Sequence, residues 1–89
     1  MAFRTARARR KQWSGTTEDV SLNGMRFLTS ADLTVGDCLS IECRFCSAIA
    51  LVKSVRPVAD RRLGSLQIGV EFLTLRITHP RGGLVSTIA

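Results

Sequence analysis

The chain has no tyrosine, one tryptophan, one histidine, two prolines and no apolar run of membrane-spanning length. With four phenylalanines besides, three of them in strand-like patterns that favour burial, few aromatic faces remain for stacking bases, which argues against a nucleic-acid-binding surface. His79 alone cannot supply a His–carboxylate–nucleophile set, and no phosphate-binding loop is present. No catalytic residue is assigned, and a non-enzyme is expected. A bilayer span needs roughly 18–20 apolar residues, and no stretch here approaches that. Arg9-Arg10 spells part of a twin-arginine export signal, but no hydrophobic stretch follows it before Asp19. An organelle transit peptide would want a Leu-rich apolar face that this segment lacks, so a cytoplasmic location is expected.

Three cysteines are an odd set, and free thiols are expected. Cys43-Arg44-Phe45-Cys46 spells C-x-x-C, yet zinc needs a second pair of ligands, for which only Cys38 and His79 stand by. A redox motif wants the same spelling at a helix N-terminus. Here the pair closes an alternating strand, on which residues three apart point to opposite faces. No metal and no cofactor is therefore assigned.

Eighty-nine residues make one domain, which buries about 60–65% of its unfolded surface and has little room for a deep substrate cleft. Of the net charge of +6, five positive charges come from Arg4, Arg7, Arg9, Arg10 and Lys11. The remaining eight basic residues face seven acidic ones, so the body is nearly neutral and the basicity sits in the first dozen residues. Such a segment suits phosphates, or is simply a solvated terminus. Residues 1–12 are read as a basic arm or a weak first strand, 13–77 as the domain body, and 78–89 as a loose tail with a late strand allowed at Leu84-Val85-Ser86.

The clearest local signal is Leu66-Gln67-Ile68-Gly69-Val70-Glu71-Phe72, whose apolar residues fall on one face of a half-buried strand. Leu39, Ile41, Cys43 and Phe45 alternate in the same way. Ala48 to Val58 reads as a well-covered strand ended by Pro57, and Met25 to Thr29 as a shorter one. Thr16 to Val20 and, before it, Phe3 to Lys11 complete the set, the latter with only Ala6 and Ala8 as inward positions. Val35-Gly36-Asp37 and the stretch Ala59 to Gly64 carry turn residues. Ala31-Asp32-Leu33 forms one helical turn at most. Short strands at about ten-residue spacing, without helices, predict an all-β antiparallel barrel or sandwich.

Between two of these strands lies Asp19-Val20-Ser21-Leu22-Asn23-Gly24. From the residues alone it is a tight turn: Asp19 and Ser21 bond nearby amides, and Asn23-Gly24 tolerates positive φ. The segment also resembles the D/N-x-S-x-x-G motif of bacterial PilZ domains, with Asp19, Ser21 and Gly24 at the fixed positions. Val35-Gly36-Asp37 and Gly69-Val70-Glu71-Phe72 are similar to further parts of that family, so the likeness runs from about Thr16 to Leu75. The resemblance implies a six-stranded antiparallel PilZ-type barrel with little or no helix. It also implies a regulatory module whose ligand is cyclic di-GMP, a guanine edge meeting Asp19, Ser21 and Gly24. The family's second element, R-x-x-x-R just before the first strand, has no match here. Arg7-x-x-x-Lys11 comes nearest, and Arg7 and Arg10 are the arginines left to meet phosphates. Lysine lacks the planar fork and stacking surface of arginine. Either the motif is degenerate or an upstream segment lies outside this chain. The expectation is a cyclic di-GMP effector-type module whose ligand binding is weak or lost. A ligand-independent protein-interaction module is the related reading, and a small basic nucleic-acid-binding barrel the more distant one. A protein partner is expected, of unspecified identity.

Overall fold

A computed structural model of the protein describes residues 1–44, 46–58, 66–78 and 84–88. Eight strands account for most of them: β1 (Ala2–Thr5), β2 (Ala8–Ser14), β3 (Thr16–Val20), β4 (Gly24–Thr29), β5 (Cys38–Glu42), β6 (Cys46–Pro57), β7 (Leu66–Thr78) and β8 (Leu84–Ile88). Every pairing is antiparallel, and the strands follow the order β2-β1-β5-β6-β7-β4-β3, with β8 added beside β7. No helix occurs among the described residues, and none is long and apolar enough to cross a membrane.

The two ends of that order are one stretch of chain. β2 runs through Ser14, bends at Gly15 and continues as β3, so the sheet curls until its first and last strands become the same strand. Met1 and Gly15 exchange backbone hydrogen bonds at the bend, and the Thr29 hydroxyl donates to the Ser14 carbonyl at 2.9 Å. A side chain at position 15 would crowd Met1 and Phe27. Counted once, the bent run gives the expected six staves, and β8 is a seventh strand outside the ring.

Residues 1–12 form β1 and most of β2, hinged at Ala6-Arg7. The inward positions are Phe3 and Thr5, not Ala6 and Ala8, which are exposed. Phe3 meets Phe27 of β4 with ring centroids 5.3 Å apart, tying the N-terminal hairpin to the opposite wall. Leu39, Ile41, Val52 and Ile68 fill the space between them, each fully buried. Burying side chains of this size stabilises the barrel by about 1.5–3 kcal/mol apiece. Ala31 and Leu33 pack into the core from an irregular segment, where one helical turn at most was expected. On β2, Lys11 sits 4.1 Å above the half-buried ring of Trp13.

The C-x-x-C segment departs from the sequence expectation. β5 ends at Glu42, Glu42 pairs with Ser47, and the Cys43 amide donates to the Cys46 carbonyl at 2.8 Å. The chain reverses between the two cysteines, so they face each other across a hairpin and share the inner face of the sheet. Alternation along one strand does not apply to them. The predicted turn at 59–64 and His79 lie outside the described residues.

Candidate functional site

The Asp19–Gly24 motif owes its geometry to a bulge. In β3, Thr17 pairs with Phe27, but the next pair joins Asp19 to Arg26, leaving Glu18 as the extra residue. Without that insertion Asp19 would share the face of Thr17 and Phe27. With it, the carboxylate turns outward beside Arg26, a typical use of a bulge to re-aim a side chain. The Arg26 guanidinium lies 3.5 Å from the Asp19 carboxylate, and both side chains are more than half exposed. The Glu18 carboxylate in turn accepts a hydrogen bond from the Gln67 side-chain Nε2 at 2.9 Å, which fixes the bulge to β7.

Past Val20 the chain turns within four residues. The Ser21 amide donates to the Gly24 carbonyl at 2.9 Å, and the Ser21 hydroxyl accepts from the Asn23 amide at 3.2 Å. The Asn23 carbonyl accepts from the Phe72 amide at 2.8 Å, which anchors the turn on β7. Neither Asn23 nor Gly24 has positive φ; among the described residues only Gly36 does, at 96°. Gly24 is required for a different reason than the sequence suggested. A Cβ there would run into the carbonyl of Val70, so glycine permits β4 to start flush against β7.

Together Asp19, Val20, Ser21, Gly24, Met25 and Arg26 line a shallow groove of about 160 Å³. Its donors and acceptors are a carboxylate, a guanidinium and a hydroxyl, all open to solvent. Val20 and Leu22 stand exposed beside them at 56% and 57%. The groove offers no nucleophile–base pairing; it is suited to holding a planar polar edge.

Arg7 and Arg10 are not brought to this groove. They sit at one end of the run Ala8–Val20 while Asp19 sits at the other, with the Gly15 bend between. Arg7, in the β1–β2 turn, donates to the Asp37 carboxylate at 2.9 Å and to the Asp32 carbonyl at 3.0 Å, bracing the loop between β4 and β5. Arg10 is exposed on β2. A larger recess of about 380 Å³ lies near that end, over β1 and β5, with Arg4 and Arg9 at its wall. Arg26 escaped the sequence reading. Its signal was present: an arginine two places beyond the motif glycine, on the outward face of a strand beginning at that glycine.

The sequence matches the PilZ domain family model over residues 4–86. Comparison with curated proteins and with solved structures gives no significant match in either. The family match covers nearly the whole chain, from within β1 into β8, and it includes the motif turn whose geometry is described above. The chain belongs to the PilZ domain family.

Proposed function

We propose that the protein is a non-enzymatic regulatory module of the cyclic di-GMP effector type, acting in the bacterial cytoplasm, that holds this ligand weakly. The observation that carries the proposal is the bulge at Glu18, which presents the Asp19 carboxylate outward beside Arg26 and above the Ser21–Gly24 turn. A carboxylate in that position accepts from the N1–H and exocyclic amine of a guanine, and a guanidinium beside it addresses O6 and N7. Gly24 serves the site indirectly, by letting β4 start flush against β7 directly below the turn. Weakness follows from the phosphates. Arg7 is already bonded to Asp37 and to the Asp32 carbonyl, and Arg10 stands beyond the Gly15 bend. Drawing either to the ligand would break existing bonds or reorder β2, whereas charge-assisted bonds to phosphate contribute about 1.5–3 kcal/mol each.

Calorimetric titration with cyclic di-GMP, using cyclic di-AMP and GTP as controls, tests this. Binding weaker than about 1 μM, selective for guanine and lost in Asp19→Ala, is expected. Submicromolar, stoichiometric binding would refute the weakness; binding indifferent to Asp19 would refute the site. A second reading rests on Val20, in the groove wall, and Leu22, in the turn after it, both exposed: the same surface docks a protein partner without ligand. That reading gains if Leu22→Ser abolishes a partner interaction while cyclic di-GMP leaves it unchanged.

A further inference from the structure

Cys43 and Cys46 are separated by two residues in the sequence, and the Glu42–Ser47 pair with the Cys43 amide to Cys46 carbonyl bond makes them direct cross-strand neighbours. Hydrogen-bonded antiparallel partners have Cα atoms about 5.5 Å apart, and disulfides bridge Cα separations of about 4.4–6.8 Å. Directly opposed side chains share a face. Here it is the inner face, since Ile41 and Ala48 beside them are buried in the core. Both cysteines pack against that core while remaining half-buried, where the hairpin reverses and within reach of a small molecule. Cys38 is excluded from this arrangement. It stands five residues back along β5, roughly 16 Å away, opposite Leu51.

We propose that Cys43 and Cys46 form a dithiol modification site that takes low-molecular-weight disulfides, of the glutathione disulfide type, and closes to an intramolecular disulfide. One cysteine thiolate attacks a sulfur of the oxidant and expels one small thiolate, leaving a mixed disulfide. The second cysteine, as thiolate, attacks the protein-side sulfur of that bond and expels the other. Two protein thiols are oxidised, one small disulfide is reduced to two thiols, and the two protons pass to the departing thiolates. The backbone already holds the second sulfur beside the first, so the closing step needs no rearrangement of the fold. Burial, and after it the hydrogen bond that its S–H donates to the Cys46 sulfur, push the Cys43 thiol up to about 11. The reaction is therefore slow near neutrality and accelerates as pH rises.

The folded protein is incubated with glutathione disulfide at about pH 9, where an ordinary thiol is substantially ionised, and then alkylated and weighed. Expected is the loss of two hydrogens with Cys38 alone alkylated, and in Cys38→Ser the same loss of two hydrogens with no alkylation. Cys43→Ser and Cys46→Ser should each yield a glutathione adduct in its place. Stable adducts on both cysteines without ring closure, a bond involving Cys38, or no reaction while free cysteine is consumed would each overturn the proposal.

Discussion

Gly24 and Val70 approach so closely that the first carbon of any side chain at position 24 would collide with the Val70 carbonyl oxygen. That oxygen belongs to backbone in the β4–β7 ladder, with Met25 opposite Val70, and cannot swing aside as a side chain would. Gly24→Ala should therefore destabilise the protein by about 2–4 kcal/mol, because the ladder must part to admit a methyl group. Gly36→Ala is the control: that glycine has φ of 96° but nothing near its missing Cβ, so only backbone strain of about 1 kcal/mol is expected. Urea midpoints of the two variants check the order, and equal losses would show that the ladder admits a methyl group at position 24 at little cost.

Asp37 is expected to matter more to the fold than its partner Arg7. Its carboxylate accepts from Arg7 at 2.9 Å and from the Thr34 amide at 3.0 Å, and its side chain is only 16% exposed against 58% for Arg7. Asp37→Ala should cost about 1–3 kcal/mol. Arg7→Ala should cost under about 1 kcal/mol, as for an exposed pair. Thermal unfolding of both variants would decide. A larger loss for Arg7→Ala would mean that the guanidinium, through the Asp32 carbonyl, is what holds the loop.

Alkali should destabilise the protein through Cys43. In the folded state this thiol keeps its proton until about 11, against 9.0 for an unperturbed one, because burial and then the Cys46 thiol disfavour the thiolate. Between those values the unfolded chain releases a proton that the native state retains. The stabilisation present below pH 9.0 is thus lost as pH rises towards 11. Denaturant midpoints measured across that range under reducing conditions should fall more steeply for the native protein than for Cys43→Ala. Parallel slopes would remove Cys43 as the cause.

Binding to polyanions, where it occurs, should be carried by β2 and be non-specific. Truncating the N-terminus would confound the test, since Phe3 and Thr5 are buried in the barrel. Neutralising the exposed Arg9, Arg10 and Lys11 to Gln leaves that packing intact. The triple variant should elute from heparin at markedly lower salt, as expected when counterion release dominates. Unchanged elution, or sequence-selective binding at high salt, would count against this.

Strand content was legible wherever side chains alternate without interruption. Leu66 to Phe72 does so, and it is the first half of β7. Beyond it Leu73 and Thr74 are both exposed before Leu75 is buried, because a bulge opposite Ile49 and Ala50 slips the period by one residue. The rest of β7 was hidden for that reason. The hinge at Ala6-Arg7 carries no glycine, proline or asparagine to announce it, so β1 and β2 read as one strand. Cys43 continued the alternation of Leu39 and Ile41, which disguised a chain reversal and with it the facing cysteines. At the candidate site, Asp19, Ser21 and Gly24 could be found by their likeness to the PilZ motif, while the residues alone gave only a turn. Their arrangement could not, because the outward turn of Asp19 depends on Glu18 dropping out of register with β4, a relationship between two strands.

The bent run through Gly15 also bears on how quickly the barrel assembles. β2 with β1, β3 with β4, β5 with β6 and β6 with β7 are chain neighbours that can zip locally. The ring closes only when β1 finds β5 and β4 finds β7, which join residues such as Phe3 to Ile41 and Phe27 to Ile68. Each closure fixes a long loop before its contacts repay the lost chain entropy. Refolding should accordingly take milliseconds to seconds, the slow regime of small β domains, with the rate set by those two meetings.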